Sequence, residues 1–73
     1  MYNFKYFNEN AKKVESSYSE IYDLDDHRIA ISPCERCARR QYYNVCVDGE
    51  TIATRALNSS TIRIALNYLN SIN

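Results

Sequence analysis

An α+β fold is predicted for this chain, a small two-layer sandwich whose antiparallel sheet is built around a hairpin at residues 42–57. Three observations carry that expectation. Tyr43, Val45 and Val47 alternate with Tyr42, Asn44 and Cys46 up to Asp48-Gly49, and Ile52, Thr54 and Ala56 resume the alternation, as two half-buried strands joined by a tight turn would. Ile62, Ala65, Leu66, Leu69 and Ile72 recur at helical spacing, giving a C-terminal helix over 60–72 with one apolar stripe to lay on a sheet. A length of 73 residues leaves room for one core, so 1–73 is read as a single domain.

The remaining elements follow in chain order. Ala11, Val14, Tyr18 and Ile21 fall three and four apart, with Phe7 near the start, and predict an N-terminal helix over Asn8–Tyr22. Asp23, Asp25 and Asp26 would oppose the negative end of that helix's dipole, which leaves Glu20–Leu24 open between helix and strand. Ile29 and Ile31 alternate with Arg28 and Ala30, so His27–Ile31 is a strand. Ser32-Pro33-Cys34-Glu35 fits a capping box, with Pro33 at the first helical position, and predicts a short helix near 33–40. In a hairpin with the two-residue loop Asp48-Gly49, Val45 lies opposite Ile52 and Tyr42 opposite Arg55. Asn58, Ser59 and Ser60 offer N-caps for the last helix.

Composition narrows the class. Nothing approaches the ~20 apolar residues of a membrane span, and the aromatic residues near the N-terminus are broken by polar ones, unlike a signal peptide. Three cysteines cannot all pair within one chain, and a cytoplasmic location, where thiols stay reduced, is expected. The formal net charge is zero, but residues 1–26 carry three lysines against six acidic groups, whereas the remainder carries six arginines against three. A balanced total gives weak long-range attraction to a polyanion, so nucleic-acid binding would need a local patch.

Cys34 and Cys37 form a C-x-x-C pair and, with Cys46 and His27, supply four ligands of the kinds that zinc accepts. On a helix at 33–40, however, the pair would make a small apolar stripe facing the sheet. Core cysteine is therefore the reading taken, with zinc and a redox pair as alternatives. Arg36, Arg39 and Arg40 would occupy the opposite helix face, and Tyr42 and Arg55 extend the cluster. Arginine beside tyrosine suits a protein-binding surface and also phosphate contact with base stacking. Seven tyrosines are more than so small a core can bury with every hydroxyl satisfied; Tyr18 and Tyr43 are expected inside and several others at the surface. Catalytic groups are sparse: the single histidine follows Asp25-Asp26 in a turn, and no serine or cysteine has an evident partner base.

The expectation is a non-enzymatic binding protein, monomer or homodimer, docking on a protein or nucleoprotein complex through Arg36, Arg39, Arg40, Tyr42 and Arg55. The alternatives are a nucleic-acid-binding module using the same patch and a small zinc-stabilised regulatory domain. The segment Tyr43–Leu69, with its V-x-V-D-G-x-x-I-A hairpin, N-S-S and following helix, resembles the second half of a double-stranded RNA-binding domain. That family grips phosphates with lysines at the start of its last helix, where this chain has Ser60-Thr61-Ile62-Arg63, so the resemblance implies shared architecture and not RNA binding. The format of a short chain with many tyrosines and split charge is similar to that of phage-encoded inhibitors of host machines such as anti-CRISPR proteins, which implies an inhibitory role.

Overall fold

A computed structural model of the chain describes residues 1–72. Asp48 and Gly49 take φ values of 53° and 84°, the left-handed pair that a tight hairpin turn demands and that the Asp-Gly sequence predicts. On either side run β4 (Arg40–Val47) and β5 (Glu50–Ala56). Before them come a short helix α1 (Phe4–Asn10), β1 (Lys12–Val14), β2 (Glu20–Leu24) and β3 (His27–Cys37); after them a 3-10 turn (Asn58–Ser60) leads into α2 (Thr61–Ile72). The five strands form one antiparallel sheet in the order β1-β2-β3-β4-β5, each hydrogen-bonded to its neighbours in sequence.

Two predicted helices are corrected. The N-terminal helix occupies Phe4–Asn10 and not Asn8–Tyr22: Asn3 caps it, its Oδ1 accepting from the Tyr6 N–H at 2.8 Å. The stripe read as helical instead supplies β1 and β2, and Tyr18, expected in the core, is 73% exposed in the loop between them. The strand alternative at Glu20–Leu24 is the one that forms, which also removes the conflict between Asp23 and a helix dipole. The second correction is the helix near 33–40, which is the distal half of β3, a turn and the start of β4. Pro33 lies beyond the last β2 pairing, Glu20 with Ile31, so β3 is from there an edge strand, where a residue lacking an N–H is tolerated.

The register sorts side chains onto two faces. Leu24, Ile29, Ile31, Val45 and Val47 share one face, are buried to 2% exposure or less, and pack with Phe7 of α1 and Ala65, Leu66 and Leu69 of α2. Each such side chain contributes about 1.5–3 kcal/mol of burial. Phe7 meets Tyr22 edge-on at 5.1 Å, and Tyr43 is half-buried against the same core. Of the predicted α2 stripe, Ile62 is half-buried and Ile72 is 50% exposed, so the helix turns its last residue away from the core. At the chain ends, the Tyr2 N–H donates to Asn70 Oδ1 and Asn70 Nδ2 donates to the Tyr2 carbonyl, both at 2.8 Å.

The other face bears three rows that cross the strands. Lys12, Asp23 and Arg28 make one; Val14, Ile21, Ala30 and Cys46 the next; Ser19, Ser32 and Asn44 the third. Bonds within rows confirm the facing: Arg28 grips Asp23 through Nε (2.8 Å) and Nη2 (3.1 Å), and the Ser19 and Ser32 hydroxyls lie 2.7 Å apart.

Candidate binding arm

β3 and β4 outrun their neighbours. β2 stops pairing at Ile31 and β5 at Tyr43, so residues 33–42 continue as a two-stranded arm with no strand on either side among the described residues. The arm extends roughly 13 Å, from four residue steps at ~3.3 Å, and adds to a molecule measuring 36 × 25 × 22 Å. An extra residue on β3 between Pro33 and Arg36 makes a bulge, and the tip turns through Ala38-Arg39 with Ala38 at φ 55°.

This arm gathers the arginines and tyrosine that the sequence singles out. Arg36, Arg39 and Arg40 are exposed on it, and Arg39, Arg40 and Tyr42 line, with Cys37 and Ala38, an open concavity of about 420 Å³ near the tip. Arg55 reaches it from β5. The predicted hairpin register holds for Val47 with Glu50 and Cys46 with Thr51, then slips so that Val45 faces Ala53 and Tyr43 faces Ala56, with Arg55 itself at φ 57°. From that position the Arg55 guanidinium lies 5.5 Å over the Tyr42 ring and its Nε sits 3.2 Å from Glu35 Oε2. Gln41 Nε2 adds a bond of 3.2 Å to the Glu35 carbonyl.

The cysteines stand elsewhere than expected. Cys34 and Cys37 are exposed on the arm, not in the core, because the helix that would have turned them inward does not form. Both are free thiols. Cys46 lies half-buried on the sheet's outer face, 3.4 Å from Thr51 Oγ1, as its alternation with Val45 and Val47 predicts. His27 lies at the sheet end away from the arm, its Nδ1 2.7 Å from Asp48 Oδ2. The four conditional metal ligands therefore do not converge, and no group of three or more potential ligands occurs among the described residues.

That sheet end is acidic. The turns at Asp25-Asp26 and Asp48-Gly49 lie side by side there, since β2 and β4 end where β3 and β5 begin. Asp25 accepts from the hydroxyls of both Tyr2 (3.0 Å) and Tyr6 (2.9 Å), and this bond to a carboxylate raises the Tyr6 pKa above its ordinary value. Asp48 is held below the usual carboxylate range by its bond to His27 and by the Arg28 N–H, which donates to Oδ1 at 2.8 Å. Asp23 is likewise lowered by Arg28. Sequence reasoning missed this pairing of phenols with Asp25, which depends on α1 lying over the β2–β3 turn.

No helix among the described residues is long and apolar enough to cross a membrane. Comparison with models of known families, with curated proteins and with solved structures finds no match.

Proposed function

We propose that this protein is a small two-layer α+β binding module, without catalytic activity of its own, that inserts its arginine-bearing arm into an acidic recess of a larger cytoplasmic protein or nucleoprotein assembly and inhibits it there. One observation carries the reading: Arg36, Arg39 and Arg40 stand exposed together on one projecting two-stranded arm, with Tyr42 and Arg55 braced at its root. Arginine and tyrosine dominate interface hot spots because both present large, pre-shaped contact area at modest entropic cost. The inhibitory role rests on the likeness in format to phage-encoded inhibitors. The cytoplasmic assignment rests on exposed thiols at Cys34 and Cys37, which suit a reducing compartment. The non-enzymatic reading rests on the sparse set of catalytic groups: one histidine, beside a turn, and no serine or cysteine with an evident partner base.

The test is capture of partners from a host extract by the native protein and by the Arg36→Ala/Arg39→Ala/Arg40→Ala variant, with mass spectrometry. A partner retained by the native protein and lost by the variant supports the reading. An identical set retained by both overturns it.

A second reading has its own observation. A two-stranded ribbon bearing arginines has the shape that enters a DNA major groove. Fluorescence anisotropy with duplex DNA and RNA separates the two: affinity falling steeply with salt, and weakened by Arg39→Ala, favours nucleic acid.

A further inference from the structure

We propose that a second copy of this chain packs on the outer face of the sheet, making a two-fold dimer that leaves both arms free. The three rows on that face are self-complementary. Across β1 to β3 the charged row reads Lys12, Asp23 and Arg28, alternating in sign. A two-fold axis running along the strands between β2 and β3 reverses this order in the partner. Asp23 then lies over the partner's Arg28, and Arg28 over the partner's Asp23.

The same operation matches the apolar row by size. Val14, Ile21, Ala30 and Cys46 are half-buried although no helix among the described residues covers them. Reversal seats Ile21 over the partner's Ala30 and Val14 over the partner's Cys46, large against small, as interdigitated sheet faces require. In the third row Ser19 meets the partner's Ser32, hydroxyl over hydroxyl, where donor and acceptor roles can exchange. The Asp23–Arg28 pair becomes a four-charge square, with each guanidinium between two carboxylates.

Area sets the strength. Four strands at ~4.8 Å and three rows at ~6.7 Å give a footprint of roughly 400 Å² per copy, and side-chain relief brings the total to about 1,000 Å², the lower edge of specific interfaces. The dimer should therefore be weak and reversible, with a dissociation constant on the order of 10–100 µM.

Sedimentation equilibrium of the full chain, from about 1 µM to about 1 mM, brackets that affinity. The expected result is a reversible dimer, weakened at least about tenfold by Ala30→Glu, which sets a carboxylate against an apolar neighbour. Asp23→Arg should weaken it as well, and the swap Asp23→Arg/Arg28→Asp should restore it, because both copies exchange sign together. Circular dichroism melts verify that each variant is folded; if Ala30→Glu fails that check, the charge swap alone decides. A monomer throughout the range overturns the proposal. So does a dimer unchanged by Asp23→Arg, or one abolished by the triple arm variant, since either places the contact elsewhere.

Discussion

Arg55 leans its guanidinium over the ring of Tyr42 at 5.5 Å while its Nε meets Glu35 at 3.2 Å, so one side chain from β5 touches both strands of the arm. The ion pair is more than half exposed on both sides, so its contribution to global stability is small. Its effect is local. Arg55→Ala should change stability by less than about 1 kcal/mol yet speed amide exchange at Gln41 and Tyr42 and weaken partner binding. Unaltered exchange at the arm root, measured by mass spectrometry, would count against this bracing.

At the tip, Ala38 adopts φ 55°, where a Cβ crowds the following carbonyl. Ala38→Gly removes that crowding, and the relief exceeds the extra freedom glycine gains on unfolding, so the variant should be more stable by about 0.5–1 kcal/mol. The shift in urea midpoint at constant slope is the measurement.

The clasp between Tyr2 and Asn70 uses the two ends of one amide, each bond 2.8 Å and part-buried. Asn70→Ala loses both bonds and leaves a backbone donor and acceptor at Tyr2 to find water. A loss of about 1–2 kcal/mol is expected, with faster exchange at residues 2–6. A melting curve that overlays the native one would refute it.

Acid should act on the His27–Asp48 pair. Asp48 has a folded pKa below its unfolded value, so its stabilisation is fully present above the ordinary aspartate pKa of about 3.9 and is lost as pH falls through the depressed folded value. Asp48→Asn should therefore lower stability at neutral pH and flatten the decline below about pH 4. Denaturant melts at a series of pH values give both slopes. A decline as steep in the variant as in the native protein would assign the acid response to other carboxylates, Asp23 first.

The hairpin at Asp48-Gly49 and α2 were legible because each has a strong local signal of its own period: alternation in one, a three-four spacing in the other. The segment 8–22 misled because Ala11, Val14, Tyr18 and Ile21 match a helical stripe while Val14 and Ile21 are in fact cross-strand partners. Spacing alone does not separate those cases. At Ser32-Pro33 a sound capping signal lost to tertiary pairing: β4 offered Tyr43 as a partner for Pro33, and the bulge before Arg36 absorbed the misfit. Arg36, Arg39, Arg40, Tyr42 and Arg55 were legible as one cluster but on the wrong element, since their likeness in chemistry is written in composition and their alignment only in the strand lengths.

The strictly sequential strand order has a kinetic consequence. Every strand finds its partner next door in the chain, so the sheet can grow by hairpin extension without a search for distant segments, and the low mean separation of its contacts favours rapid folding. The Tyr2–Asn70 clasp, closing a separation of 68 residues, is then a late event that locks a sheet already assembled.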